Sequence, residues 1–190
     1  NNFSPKVAAW QAIFHSVSAF NNAGFFIVPG QNSFSDFQHD ISVLTVISLL
    51  IILGSISFIV LADLAKTKRF NRLRLDTRLV IIGSVGLWLL GGLITFLFEH
   101  GNPSTLGNLP LLDQITNSIF QSISGRTAGF SSIDFGMVYA PTDFFYLLMM
   151  FIGGATASTA GGIKINTAMV LLAAAWAELR GREHAGLLKR

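Results

Sequence analysis

The chain has 190 residues, of which 51% are hydrophobic and only 12% are charged. This balance favours a membrane protein over a soluble domain, because the surface helices of a soluble domain need a polar face toward water. The chain contains no cysteine, which excludes a disulfide framework and a thiolate metal site.

The first predicted element, residues 7–20, mixes apolar and small polar side chains. It is too short to cross a bilayer as a helix, and this length is typical of a re-entrant half-helix. It leads into the sequence SAFNNAGFF, in which two amides and a glycine interrupt an apolar chain. We therefore expect a half-helix that ends in a polar loop at membrane depth.

Two uncharged apolar runs follow, residues 41–62 and 79–98, and each is predicted to cross the roughly 30 Å hydrocarbon core as one helix. The segment between them, residues 66–78, carries six cations: Lys66, Lys68, Arg69, Arg72, Arg74 and Arg78. Basic loops between spans face the cytoplasm, so this segment is predicted to be cytoplasmic. Its position between two spans also argues against a nucleic-acid-binding patch, and no nucleic-acid partner is expected.

The remaining elements are short. Residues 113–124 suit a second re-entrant half-helix on the outer side, and residues 144–152 and 168–177 are apolar but too short to span singly. Between the last two, residues 153–167 read GGATASTAGGIKINT. A glycine-rich break at membrane depth is tolerated where its backbone is buried in protein or lines a water-filled cavity. The alternative is a tight helix contact through small residues.

An internal repeat links the two predicted half-helices. Residues 13–25 and 119–130 both read I-F-[HQ]-S-[VI]-S, continue through a polar approach, and end in A-G-F once one residue is skipped. Both copies lead through an outer loop into an inward helix. The repeat predicts a duplicated unit of half-helix, AGF loop and inward helix.

Such a unit has a specific chemistry. A half-helix that stops at mid-depth directs unpaired C-terminal carbonyls toward the membrane interior, where they attract cations. Glycine in the next segment permits dihedral angles that let successive carbonyl oxygens replace an ion's hydration shell. Neither NNAGF nor RTAGF contains an acidic residue, so we expect backbone coordination of a weakly hydrated monovalent ion such as K+. Asn21 and Asn22 either contact the ion or brace the carbonyls that do.

These motifs carry a resemblance to a known family. The pair FHSVSAFNNAGF and FQSISGRTAGFSSID, followed by MMFIGGATASTAGGIKINT, resembles the Trk/Ktr/HKT superfamily of potassium transporters, and within it the Ktr-type membrane subunits. The resemblance implies an all-α integral membrane fold built from repeated helix, re-entrant pore-loop and helix units. Four such units would form a pseudo-fourfold, potassium-channel-like pore.

The resemblance also implies site residues. Filter segments that hold K+ through their carbonyls would be Asn22, Ala23, Gly24 and Phe25 with Thr127, Ala128, Gly129 and Phe130. Asn21 and Arg126 are expected to form the filter scaffold. An intramembrane loop beneath the filter would act as the gate, and its candidate residues are Gly153, Gly154, Ser158, Thr159, Gly161, Gly162 and Lys164.

The same resemblance divides the chain. Residues 1–65 would be the pore half-helix, filter loop and inward helix of the second unit, and residues 66–78 the cytoplasmic loop. Residues 79–180 would be the third unit, and residues 181–190 a basic cytoplasmic tail. The first unit, the outward helix of the second and the whole fourth unit would lie outside this chain, although a closed filter needs four loops.

The implied function is potassium uptake by a multi-pass protein of the cell membrane, a bacterial inner or plasma membrane, and not an enzymatic reaction. No cofactor is expected to bind this chain, K+ is the transported ion, and Na+ is a candidate coupled or activating ion. Expected partners are membrane lipid, a second copy in a homodimer, and a cytoplasmic ring of KtrA-like nucleotide-binding regulatory subunits.

Two other classes of membrane protein fit the sequence less well. A secondary carrier with re-entrant hairpins and alternating access predicts inverted repeats, whereas both copies here enter from the same side. An intramembrane hydrolase would need a serine and a histidine to meet, but no G-x-S-x-G elbow is present. His15 is expected to be a buried hydrogen-bonding group rather than a pH sensor, since Gln121 holds the matching place. Arg126 is expected to turn back and bond loop carbonyls or Asp134.

Overall fold

The computed structural model describes residues 4–30, 33–67 and 69–181. Within them the fold is all-helical, as predicted, with no β-strand. Seven α-helices are present in these ranges: α1 (Pro5–Phe20), α2 (Ile41–Ser55), α3 (Phe58–Lys66), α4 (Leu75–Glu99), α5 (Leu111–Thr127), α6 (Ala140–Phe151) and α7 (Ile165–Leu179). Lys68 of the basic segment and residues 182–190 of the tail lie outside the described residues.

The two short helices of the repeat are α1 and α5, with 16 and 17 residues. At 1.5 Å per residue each is about 25 Å long, less than the roughly 30 Å of a hydrocarbon core. Proline stands at the start of both, since Pro5 begins α1 and Pro110 is the N-cap of α5. The fixed φ of proline suits the first turn of a helix, and proline is disfavoured in the interior of a helix.

The prediction that residues 41–62 form one helix is wrong. The helix α2 ends at Ser55, and the next helix, α3, runs at an angle of 94° to it. The hydroxyl of Ser57 caps α3 by accepting a hydrogen bond from the N–H of Ile59 at 3.1 Å. An apolar run predicts that a segment lies in an apolar environment, but it does not predict where its helix bends. The sequence GSIS at residues 54–57 was the only sign of the break.

By length and composition, α4 can cross a membrane alone, and α2 with α3 forms a second candidate if the bent pair is one span. α4 has 25 residues, longer at both ends than residues 79–98. The predicted short helices α6 and α7 are present and separated by a non-helical stretch from Ile152 to Lys164. The glycine-rich break is therefore confirmed as a structural feature.

α5 lies at the centre of the fold, where it packs against α2, α4 and α6, while α1 packs against α2. Phe34, from the outer loop after α1, joins the two repeats. Its ring meets Phe120 and Phe130 edge-on at centroid distances of 6.1 and 5.2 Å, an arrangement that aromatic quadrupoles favour. The N–H of Phe34 also donates to the carbonyl of Ser131 at 2.8 Å. The loop after α1 is thus attached directly behind the second AGF loop.

A buried carboxylate fixes the outer end of α4. Glu99 is fully buried, and its Oε1 accepts hydrogen bonds from the N–H of Tyr139 and the hydroxyl of Thr142. Its Oε2 accepts from Asn102 Nδ2 and Thr105 Oγ1, both at 2.7 Å. Four donors satisfy a group whose burial would otherwise be costly. Glu99 therefore ties α4 and the outer loop to the start of α6.

Candidate ion-binding loops and gating loop

The first AGF loop begins where α1 ends. The N–H of Ala23 donates to the carbonyl of Ser18 at 2.9 Å, and Gly24 then turns the chain with a φ of +71°. The hydroxyl of Ser18 donates to the carbonyl of Phe25 at 3.0 Å. The last turn of the half-helix therefore holds both ends of its own loop.

The second AGF loop has the same construction. The N–H of Gly129 donates to the carbonyl of Ser124 at 2.9 Å, and Gly129 has a φ of +84°. The hydroxyl of Ser124 donates to the carbonyl of Phe130 at 2.7 Å. Ser18 and Ser124 occupy the same position in the repeat, so the internal similarity of the sequence is also a similarity of hydrogen bonding.

The two loops meet. A Cβ on Gly24 would overlap the carbonyl oxygen of Ala128, so only glycine permits this approach. Beside it, the hydroxyl of Thr127 donates to Oδ1 of Asn22 at 2.7 Å. Both predicted filter segments are thus adjacent, and Ala23, Phe25 and Gly129 are exposed on the chain.

Behind each loop a polar side chain from the half-helix supports the chain that leaves it. Nε2 of His15 accepts from the N–H of Ile27 at 3.2 Å. At the matching place, Oε1 of Gln121 accepts from the hydroxyl of Ser131 at 3.0 Å. His15 and Gln121 are both buried, as expected of hydrogen-bonding groups within the protein.

The two neighbouring asparagines differ. The Nδ2 of Asn21 donates to Val17 one turn back at 2.9 Å, on an exposed surface. Asn22 is buried, has a left-handed φ of 52°, and bonds to groups far away in the sequence. The sequence predicts Asn21 as scaffold and Asn22 as a filter residue, but of the two amides it is that of Asn22 that braces neighbouring segments.

The predicted gating loop is a closed hairpin. The N–H of Gly153 donates to Ile163 at 2.8 Å, and the N–H of Ile163 donates to Phe151 at 2.9 Å. A Cβ on Gly153 would overlap the carbonyl oxygen of Gly161, and Gly162 has a φ of +80°. Gly153 is therefore required by the close approach of the two sides of the hairpin, and Gly162 by its backbone conformation. A contact between two helices through small residues would not need either feature.

This hairpin docks on the end of α2. The N–H groups of Ala155 and Thr159 donate to the carbonyls of Ser55 and Gly54 at 3.0 and 3.1 Å. These carbonyls belong to the last turn of a helix, where no intrahelical donor remains. The hairpin therefore supplies hydrogen-bond partners for the last carbonyls of α2, which a helix that ended at membrane depth would require.

Lys164 and Ser158 bond within the hairpin. The Nζ of Lys164 donates to the carbonyl of Ala160 at 2.6 Å, and the side chain is half-buried at the start of α7. The hydroxyl of Ser158 donates to the carbonyl of Ala155 at 2.6 Å. The ammonium group is thus held by the loop in this conformation.

The expected contacts of Arg126 are only partly found. The side chain is buried and turns into the protein, where its guanidinium carbon lies 5.6 Å from the ring centroid of Trp88. Among the described residues its Nε and Nη1 have no hydrogen-bond partner, and Asp134 instead caps a turn by accepting from the N–H of Gly136. The aromatic face of α4 replaces the carboxylate as the cation's neighbour.

Some of these residues were not found from the sequence. Ser18 and Ser124 were visible as shared positions of the repeat, but nothing in the sequence shows which carbonyl a serine meets. Gly54 lay inside an apolar run, yet a Cβ there would overlap the carbonyl oxygen of Phe20. Its flanking serines were the available signal.

Paired half-helices whose loops adjoin, with a glycine-rich break docked nearby, define the class of membrane ion-transport proteins. The profile of the TrkH family, described as cation transport protein, matches residues 3–190. The chain belongs to this family.

The relatives agree. The chain is 42% identical over 179 residues to the Ktr system potassium uptake protein B of Bacillus subtilis, covering 94% of this chain and 40% of that protein. It is 38% identical over 187 residues to the protein of the same name from Vibrio alginolyticus, covering 97% and 41%. It is 36% identical over 176 residues to the potassium/sodium uptake protein NtpJ of Enterococcus hirae, covering 93% and 38%.

A solved structure has the same fold. The crystal structure of the potassium transporter TrkH from Vibrio parahaemolyticus matches with a TM-score of 0.73 at 22% identity, covering 92% of this chain and 38% of that one. The chain spans about 40% of the length of the curated relatives named above.

Proposed function

We propose that the complete protein takes up K+ across the cell membrane through a channel-like pore. In this proposal the chain contributes the filter loops of the second and third of four units, together with the gating loop. The observation that carries the proposal is the identical construction of two adjacent loops, in which a serine holds the AGF phenylalanine carbonyl and a glycine is left-handed.

The chemistry of the loops supports K+ as the ion. The serine bonds orient Phe25 and Phe130, and the backbone between them and the half-helix ends offers carbonyl oxygens without any carboxylate. Carbonyl oxygens replace the hydration shell of K+. Two relatives are named as potassium uptake proteins and a third as a potassium/sodium uptake protein, which keeps Na+ as a candidate coupled or activating ion.

A channel-like pore is favoured over an alternating-access carrier. Inverted repeats are the usual basis of alternating access. Here the C-terminal loops of both half-helices converge on one another, and their bonds are repeated without inversion. The gate in this proposal is the hairpin closed by Gly153 and Ile163, which moves away from α2 to open the path.

The assembly extends beyond this chain. The remaining units would complete the filter, a second copy would form a homodimer in the lipid bilayer, and a nucleotide-binding ring would dock on the cytoplasmic side. Support for a regulatory partner comes from the word "system" in the names of two relatives and from the basic segment that contains Arg72 and Arg74.

Serine substitution of the loop glycines tests the proposal. In the complete protein, Gly129→Ser forces a side chain into a left-handed conformation at a cost of about 1–2 kcal/mol. Since 1.4 kcal/mol corresponds to a factor of ten, we expect K+ over Na+ discrimination to fall about tenfold. Gly24→Ser should have the larger effect, because its Cβ would also overlap the backbone carbonyl oxygen of Ala128. The measurement is K+ and Na+ uptake by transport-deficient cells, normalised to the amount of protein in the membrane.

Gly30→Ser is the matched control. Gly30 has a φ of +77° and no atom within 4 Å of an added Cβ, as Gly129 does with a φ of +84°, but it lies outside both loops. The control should keep wild-type discrimination. If discrimination survived both Gly24→Ser and Gly129→Ser, the filter assignment would be wrong.

A further inference from the structure

One side chain connects the first AGF loop, in which it lies, to the second AGF loop and to the gating loop of the proposed ion path. Asn22 lies in the first AGF loop, its Oδ1 accepts from Thr127 in the second loop, and its Nδ2 donates to Thr159 of the gating loop at 3.1 Å. Longer contacts of Nδ2, at 3.4 Å, go to the carbonyls of Phe20 and Ile51. We infer that Asn22 is the positioning residue through which the docked gating loop sets the geometry of the filter.

The gating loop meets this side chain through a single threonine. The hydroxyl of Thr159 accepts from Asn22, and its one proton can reach the carbonyl of Phe20 at 3.0 Å or that of Gly54 at 2.9 Å. Phe20 ends α1 and Gly54 is in the last turn of α2. Thr159 thus satisfies helix-end carbonyls whose own helices offer no donor.

The backbone of Asn22 supports the same role. Asn22 and Ala157 are the two non-glycine residues with positive φ among the described residues, at 52° and 62°. Asparagine tolerates this left-handed region better than most residues. The partners of the Asn22 amide, on α2, the second loop and the gating loop, then hold the side chain in one orientation.

Movement of the hairpin therefore acts on the filter. When Thr159 leaves, Nδ2 of Asn22 loses its shortest partner, and the amide is free to rotate. Rotation breaks the bond to Thr127, which is the polar link between the two loops at this level. The width available to an ion between Asn22 and Thr127 then depends on whether the gate is docked. By linkage, ion occupancy of the filter must bias the hairpin by the same free energy.

This inference rests on the proposed function, and a double-mutant cycle tests it. The complete protein is reconstituted in liposomes as wild type, Asn22→Ala, Thr159→Val and the double variant, and K+ and Na+ fluxes are measured. We expect Thr159→Val to lower the K+ over Na+ ratio about threefold or more in the wild-type background. In the Asn22→Ala background, Thr159→Val should change the ratio little, because residues in one hydrogen-bond network are not additive.

Two further variants isolate the hydroxyl. Thr159→Ser keeps the donor and should retain the wild-type ratio. The hydroxyl of Thr156, in the same hairpin, donates to Oδ1 of Asn166 at 2.9 Å and not to Asn22. Thr156→Val removes this hydroxyl and should also retain the wild-type ratio. Thr127→Val removes the hydroxyl that donates to Asn22. This variant takes the place of Asn22→Ala in the cycle if Asn22→Ala does not reach the membrane.

The outcomes separate this inference from the proposed function. A wild type that transports no K+ would contradict the proposed function itself. A wild type that selects K+, with a ratio unchanged in Thr159→Val or with additive effects in the double variant, would overturn the coupling role of Asn22 and leave the filter assignment standing.

Discussion

Two serines each bond to the phenylalanine carbonyl of an AGF loop. The hydroxyls of Ser18 and Ser124 donate to the phenylalanine carbonyls of their own loops, so those oxygens are directed toward the half-helix. Within each loop, the oxygens without this constraint precede the phenylalanine. The repeated serine therefore anchors the last residue of both AGF loops to its half-helix in the same way.

Removal of one serine hydroxyl should impair selectivity. In Ser124→Ala the buried carbonyl of Phe130 loses its donor, which costs about 1–3 kcal/mol, and the loop can relax. We expect a several-fold lower K+ over Na+ uptake ratio, measured in cells, with a smaller effect for Ser18→Ala on a less buried bond.

Ser122→Ala is the control for that change. Ser122 is equally buried, and its hydroxyl donates to the carbonyl of Trp88 on α4 at 2.7 Å, away from the loops. It should lower stability by a similar amount and leave the ratio as in wild type. Equal ratios in Ser122→Ala and Ser124→Ala would contradict the role given to the loop serine.

At the residue level, the sequence could predict the features that both copies of the repeat share and those set by neighbouring residues in the chain. The paired A-G-F motifs, the left-handed glycines and the buried hydrogen-bonding character of His15 follow from the repeat. The bond between Asn22 and Thr159 joins residues 137 positions apart, and no periodicity reports such a pair. The neighbour of Arg126 was also wrong, because the chain offers several possible partners and packing alone selects Trp88.

The end of α2 depends on another element for its last hydrogen bonds. α2 ends at Ser55, and its carbonyls are satisfied by the hairpin between α6 and α7. The sequence showed the hairpin through its glycines but not the end of α2, since the donors come from a segment about 100 residues later in the chain. The broken helix and the gating loop are therefore one structural unit.

A methyl group in the tightest part of the hairpin should loosen this unit. In Gly153→Ala the new Cβ would overlap the backbone carbonyl of Gly161, a contact that side-chain rotation cannot relieve. We expect the hairpin to undock from α2 and the basal K+ flux of the complete protein to rise several-fold, measured without regulatory partners.

Gly161→Ala provides the comparison within the same loop. A Cβ on Gly161 has no atom within 4 Å, so the rise in basal flux should be smaller than in Gly153→Ala. Equal effects of the two substitutions would mean that the close approach does not hold the hairpin, and basal flux below wild type in Gly153→Ala would contradict a gating role.

At the scale of the molecule, the proposed function makes this chain one side of a larger pore. Its two AGF loops adjoin through Gly24 and Ala128, while Phe25 remains 68% exposed and Trp10 on α1 is 61% exposed. The chain spans about 40% of its curated relatives, so these apolar surfaces are available to the remaining units and to lipid. The fold class was predictable because the hydropathy of the chain indicates a membrane environment and the internal repeat indicates a duplicated helical unit.

The location of a bound ion tests the central claim most directly. Crystals of the complete protein soaked with Rb+, a K+ substitute, should show anomalous density within bonding distance of the backbone carbonyls of Asn22–Gly24 and Thr127–Gly129. Rb+ bound away from both loops, or well-ordered loops that stay empty at saturating Rb+, would contradict the assignment of these segments as the filter.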